Sequence, residues 1–120
     1  MRQFTFAAAL AVVVAALAIP GFVAAATRNN TLIGTDGPGF TITLKKGKTK
    51  VTSLKAGKYK IVVKDLSSIH NFHLTGPGLN KKTGVGPKGT FTWTVTLKKG
   101  TYKYVCDPHA SIMKGSFKVT

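Results

Sequence analysis

The sequence is poor in acidic residues, and this shortage excludes several kinds of chemistry. It has no Glu and three Asp against 18 Lys and Arg, for a formal net charge of +15 in 120 residues. Paired carboxylates for glycoside hydrolysis are therefore not expected, nor is a carboxylate-rich cage for Ca²⁺ or Mg²⁺. With so few groups left for acid–base chemistry, we expect that the protein is not an enzyme.

Long apolar runs are confined to the amino terminus. Residues 7–19 are apolar throughout, which is shorter than the roughly 20 residues that a membrane span needs. Pro20 and Gly21 end this run, and small residues at 24–26 follow. The pattern predicts a secretory signal peptide, residues 1–26, that is cleaved after Ala26. Residues 27–120 would then form one exported domain in the periplasm or in the extracellular or cell-envelope space.

Helical periodicity is also lacking, and Thr, Val, Ile and aromatic residues dominate after residue 27. Residues 40–44, 90–97 and 115–120 alternate apolar and polar side chains, which is typical of strands with one buried face. We predict an all-β sandwich of seven to eight short strands. The similar segments 54–60 and 97–103 are interpreted as two hairpin turns, and residues 76–89 as a loop. The other predicted strands are residues 31–35, 50–53, 59–63, 69–74 and 101–106.

Cysteine occurs once, so no disulfide can form within the chain. In an oxidising compartment a lone thiol is open to oxidation, which favours a specific role or a buried, inert position. Cys106 ends a predicted strand and is followed by His109 and Met113. A thiolate, an imidazole and a thioether within eight residues favour copper as the metal. Zinc has no use for the thioether.

A second segment supplies two more histidines, His70 and His73. A blue copper site needs two His and one Cys in a plane, with a weak axial Met. If residues 69–74 form a strand, His70 shares its face with Phe72 and Leu74, whereas His73 lies on the other face. We therefore expect His70 to complete the site. His73 is expected to face outward, where it could gate the site or weakly bind a second metal.

These motifs resemble those of cupredoxins, the small blue copper proteins that include plastocyanin and amicyanin. The likeness covers residues 27–120, through a His-Asn pair at His70-Asn71 and a Tyr-x-Cys-x-x-His…Met-x-Gly pattern that begins at Tyr104. It implies a small exported bacterial protein with a Greek-key β-sandwich and one copper per chain. It also implies that the backbone N–H of Asn71 bonds the thiolate sulfur. The spacing from His to Met is intermediate between those of plastocyanin and amicyanin, so Met113 is the ligand that departs most from the family pattern.

The resemblance implies a one-electron carrier that cycles between Cu(I) and Cu(II). His109 would be the electron exit, inside an apolar rim for which the candidates are Pro77, Leu79, Pro108 and Ile112. The excess of Lys favours an acidic redox partner, such as a cytochrome or another oxidoreductase, or an anionic membrane surface near one. Export and the lack of an aromatic platform with Arg argue against nucleic acid. A single free domain is expected to be monomeric.

Three other functions are compatible with parts of the pattern. A copper chaperone or scavenger could use the same four ligands, although only two Met in the chain make this less favourable. A copper enzyme with an open site would require that Met113 does not bind. A metal-free interaction module would leave the cluster of soft ligands without a purpose.

Overall fold

The computed structural model describes residues 29–120 and, before them, the isolated positions 11, 13, 15 and 21. Apart from those four positions, the predicted signal peptide of residues 1–26 lies outside the described residues and stays a prediction. In the described part of the chain, no helix is long and apolar enough to cross a membrane.

Within residues 29–120, ten strands form two five-stranded sheets, which confirms the predicted all-β sandwich. Sheet A has the order β3-β2-β1-β5-β8, and sheet B has the order β4-β10-β9-β6-β7. Two of the pairings, β1 with β5 and β10 with β4, are parallel, and the others are antiparallel. The strands are β1 Thr31–Asp36, β2 Ile42–Lys46, β3 Thr49–Lys50, β4 Ser53–Leu54, β5 Gly57–Asp65, β6 His73–Gly76, β7 Leu79–Lys82, β8 Gly89–Leu97, β9 Gly100–Val105 and β10 Lys114–Val119.

The core lies between the sheets and is built from the alternating side chains that the sequence predicts. Strand β5 buries Tyr59, Ile61 and Val63, whereas its three lysines lie on the opposite face and are exposed. Aromatic rings fill the centre, where Tyr104 of sheet B stacks on Phe72, the residue before β6, with ring centroids 5.5 Å apart. Tyr104 faces Gly115 across the β9–β10 pair, and a Cβ atom at this glycine would overlap the tyrosine ring. The glycine therefore makes room for the ring.

Two predicted strands and one predicted loop differ from the structure, and residues 29–120 contain ten strands instead of the expected seven to eight. The predicted strand at residues 50–53 is split, because the chain leaves sheet A after β3 and enters sheet B at β4. The predicted loop at residues 76–89 contains β7, a short edge strand paired with β6. The predicted strand at residues 69–74 begins only at His73.

The two similar segments, residues 54–60 and 97–103, are not hairpin turns. Each carries the chain from one sheet to the other, from β4 to β5 and from β8 to β9. In the first, the Tyr59 hydroxyl donates a hydrogen bond of 2.7 Å to the carbonyl of Lys55. In the second, the Lys98 amide donates a bond of 2.9 Å to the Tyr102 hydroxyl. The shared pattern therefore places a tyrosine four residues after the crossing begins, where its hydroxyl stabilises the turn.

Candidate metal centre

Cys106 and His109 are presented by a short loop that is closed by its own backbone. Cys106 follows β9 directly, and a turn of 3-10 helix spans Asp107–His109. The amide of His109 donates to the carbonyl of Cys106, and the amide of Cys106 donates to the carbonyl of Met113, both at 3.0 Å. The amide of Met113 donates to the carbonyl of His109 at 2.8 Å. These bonds hold the three proposed ligands of the loop in one fixed turn.

His70 reaches the same point from the irregular segment between β5 and β6. Its side chain is fully buried. The segment packs against Gly37, which has φ +75°, in the left-handed region that favours glycine. A Cβ atom at Gly37 would lie 2.9 Å from the Cβ of Ser67 and 3.3 Å from the Cδ2 of His70. The glycine therefore allows the chain that follows β1 to pass close to the His70 ring.

The three side chains form a triangle of donor atoms. The Nδ1 atoms of His70 and His109 are 3.0 Å apart, and they lie 3.6 and 3.5 Å from the Cys106 sulfur. A point equidistant from these atoms lies about 2.0 Å from each, close to the bond length between an imidazole nitrogen and a metal such as zinc. His70, Cys106 and His109 thus form a possible copper ligand site, with the donor set of a blue copper plane.

His70 is the histidine that joins the cluster, although part of the reasoning that selected it is wrong. The parity argument assumed a strand through residues 69–74, whereas His70 precedes the strand. Its burial instead comes from the packing of the irregular segment. Met113 is fully buried beside the loop backbone, which is compatible with axial ligation. That role stays a prediction.

Asn71 joins the two segments that carry the candidate metal ligands. Its Oδ1 accepts a bond of 2.7 Å from the amide of Asp107, and its Nδ2 donates to Asp107 Oδ2 at 2.8 Å. The same Nδ2 donates to the carbonyl of Thr83 at 3.3 Å. Asn71 therefore acts through its side chain, which aligns the His70 segment with the Cys106 loop. The bond expected from its backbone N–H to the sulfur stays a prediction.

His73 lies outside the metal cluster, and both of its ring nitrogens have partners. Nδ1 is 2.8 Å from Asp107 Oδ1, and Nε2 is 2.6 Å from Asn80 Oδ1. Partial burial alone would raise the pKa of Asp107, but bonds from Asn71 and His73, with the charges of His73 and Lys82, lower it overall. The carboxylate is therefore held ionised beside the loop. The partners of His73 leave it no free nitrogen for a second metal in this arrangement.

Phe40, which the sequence did not identify, lies against both imidazole rings. Its ring centroid is 5.2 Å from that of His70 and 4.9 Å from that of His109, with edge-to-face geometry in both contacts. Phe40 is nevertheless 55% exposed. It therefore covers the histidine edges while facing solvent. The sequence placed Phe40 in the predicted strand of residues 40–44, whereas β2 begins only at Ile42, so Phe40 is free to lie against the histidines.

Exposed apolar residues surround this end of the sandwich. We define the apolar rim as Phe40, Leu66, Ile69 and Ile112, which are exposed on segments that carry or contact the candidate metal ligands. Pro108 is exposed on the same loop. The prediction of Pro77 and Leu79 as rim residues is wrong. Pro77 packs against Gly100 at the far end of β9, and Leu79 pairs with Gly76 there.

Comparisons with known proteins agree with this architecture. Residues 7–119 match the family described as cupredoxin-like domain. Reduced rusticyanin is 21% identical over 75% of this chain and 78% of that chain, with a TM-score of 0.57. Auracyanin from the photosynthetic bacterium Roseiflexus castenholzii is 22% identical over 76% of this chain and 97% of that chain, with a TM-score of 0.54. These structures support the predicted Greek-key β-sandwich. Curated protein sequences give no significant match.

Proposed function

Because the chain belongs to the cupredoxin-like family, we propose that it is an exported blue copper protein that carries single electrons between redox partners. Cupredoxins are in general electron carriers rather than enzymes. The observation that carries the proposal is the buried triangle of His70, Cys106 and His109. These residues would hold one copper, with Met113 as the weak axial ligand. Copper bound there supplies one-electron chemistry between Cu(I) and Cu(II).

The surrounding hydrogen bonds favour electron transfer because they fix the ligands independently of the metal. The loop backbone holds Cys106 and His109, and the Asn71 side chain holds the two segments together. A site that is positioned by such contacts changes little between two oxidation states, so the reorganisation energy is low. Four protein ligands would also leave no open position for a substrate.

The apolar rim provides the route for electrons. His109 is half-buried behind Phe40, and Ile112 is exposed on the next turn of the same loop. Among the loops at this end, the charged residues are Lys88 and Asp107. We propose that a partner docks on this nearly uncharged surface and that electrons leave through His109. The lysines on the sheet faces would attract an acidic cytochrome or oxidoreductase from a distance.

The competing function is copper delivery, and kinetics distinguish the two. The copper-loaded protein is mixed with an acidic cytochrome in a stopped-flow experiment, and separately with a metal-free copper acceptor. We expect rapid electron exchange that slows as salt is added, and retention of copper. Ile112→Asp should slow the exchange without changing the visible spectrum, whereas Thr101→Asp on the outer face of β9 should have little effect. Rapid copper loss to the acceptor without electron exchange would contradict the proposal.

Export is tested by the amino terminus of the protein recovered from outside the cytoplasm. We expect mass spectrometry to show a chain that begins at Thr27. A protein that remains in the cytoplasm with residues 1–26 attached would contradict the proposed signal peptide.

A further inference from the structure

Strand β8 leaves one long edge of sheet A without a partner among the described residues. The sheets end at β3, β4, β7 and β8. The first three of these strands have two, two and four residues. Strand β8 has nine residues, all paired with β5 on one side, and none of them is charged. Proteins normally protect such edges with short strands, Lys or Pro, so this edge is suited to accept another strand.

Side chains on both faces of β8 support this interpretation. Phe91 and Trp93 point toward the core but stay only half-buried, because no strand follows β8 to cover them. On the opposite face Thr90, Thr92 and Thr94 are exposed. An added strand would lie about 4.8 Å beyond β8. It would cover the two aromatic rings and continue the threonine face.

Unpaired lysines surround the edge. On the neighbouring strand, Lys60 faces Thr94 and Lys64 faces Thr90 in the pairing register. The sequence places Lys88 before the strand and Lys98 after it, both exposed. Within residues 29–120 the ion pair present is that of His73 with Asp107, so these lysines have no acidic partner in the described chain.

We propose that the free edge of β8 binds an extended segment of a partner protein that carries acidic side chains at alternate positions. The backbone of the segment would extend sheet A, which is a known mode of peptide recognition. Its acidic side chains would meet the lysines of β5 across the short threonines. A second copy of this chain fits less well, because antiparallel pairing would bring Lys88 of one copy toward Lys98 and Lys99 of the other. The site is separate from the metal centre and does not depend on the proposed function.

The test uses hydrogen exchange of the protein purified after export. The probe is a capped nonapeptide of alternating Glu and Val, and the control peptide has Gln in place of Glu. In an antiparallel edge strand, alternate amides point away from the sheet. We expect the Glu peptide, at concentrations up to about 1 mM, to slow exchange at alternate amides of β8. The amides of β3, β4 and β7 should be unaffected, and the protection should weaken as salt is added.

Two variants locate the binding. The double variant Thr92→Glu/Thr94→Glu places negative charge on the face of the edge strand that meets the acidic side chains of the peptide, and should weaken binding by about tenfold or more, or about 1.4 kcal/mol. The control Thr101→Glu adds negative charge to β9, which has neighbours on both sides, and should have a smaller effect. Binding without protection of β8, absence of any protection, or equal effects of the variants would overturn the proposal. So would a dimer that protects β8 without peptide, which would make a second copy the occupant.

Discussion

The replacement Asp36→Asn tests a buried pair of carboxyl groups near the metal centre. Asp36 and Asp65 are partners in the parallel register of β1 and β5, and both are fully buried. Asp65 accepts hydrogen bonds from the amide of Ser67 and the hydroxyl of Thr83. Among residues 29–120, neither oxygen of Asp36 has a hydrogen-bond donor. A proton retained on Asp36 gives this buried carboxyl group a hydrogen-bond partner, because its O–H can donate a hydrogen bond to Asp65.

The burial and pairing of the two carboxyl groups determine the direction and the size of the change in stability with pH. Burial, together with the hydrogen bond and charge of Asp65, raises the pKa of Asp36 from 3.8 to about 7. Since the folded-state pKa lies above the unfolded one, the stabilising contribution is complete below pH 3.8. It is lost progressively as the pH rises to about 7. The difference in pKa corresponds to about 4 kcal/mol. An uncharged Asn retains a donor to Asp65 and should not show this loss.

Denaturant unfolding at several pH values measures the effect. The free energies of unfolding of the wild-type protein and Asp36→Asn are compared in the same metal state from pH 4 to 8, so that effects of the metal site largely cancel. We expect the variant to gain relative stability as the pH rises and to level off near pH 7. Asp107→Asn is the control, because the pKa of Asp107 is lowered and its contribution is lost toward acid pH instead. A constant difference across this range would refute the proposed proton.

Three further predictions concern the metal centre. Gly37→Ala should destabilise the fold by about 1–2 kcal/mol in denaturant unfolding, because a Cβ there meets Ser67 and His70 at positive φ. Gly39→Ala is the control, since a Cβ at Gly39 has no neighbour within 4 Å. Equal effects of the two variants on stability would contradict the packing argument. Asn71→Leu removes hydrogen bonds to Asp107 and should cost about 1–3 kcal/mol and broaden the visible spectrum of the copper form; an unchanged spectrum would show that Asn71 does not align the loop. Met113→Leu should keep the blue colour but shift the reduction potential in voltammetry, and an unchanged potential would exclude axial ligation.

The sequence predicted the sandwich because its signals are local. Alternation in residues 90–97 and the turn glycines act over a few neighbours, and they predict strands with one buried face. Sheet membership depends on long-range pairing. The segments around Lys55 and Lys98 have the form of hairpin turns, yet they connect different sheets. Their tyrosines bond back to the crossing itself, which the residue pattern alone does not distinguish from a hairpin.

The loop with the candidate ligands could also be predicted from the sequence, because Cys106, His109 and Met113 lie close together in the chain. The role of Phe40 could not be predicted in this way, since Phe40 reaches the two histidines from the connection between β1 and β2. Asp36 and Asp65 are likewise 29 residues apart and meet only through strand register. Contacts of this kind follow from the topology of the strands, and no short sequence motif predicts them.

The most direct test of the central claim is a titration of the purified protein with Cu(II), followed by visible absorption. We expect an intense blue band from thiolate-to-copper charge transfer that saturates at one equivalent and is lost in Cys106→Ser. A colourless or red product, or oxidation of the thiol without a stable complex, would contradict a blue copper site at His70, Cys106 and His109.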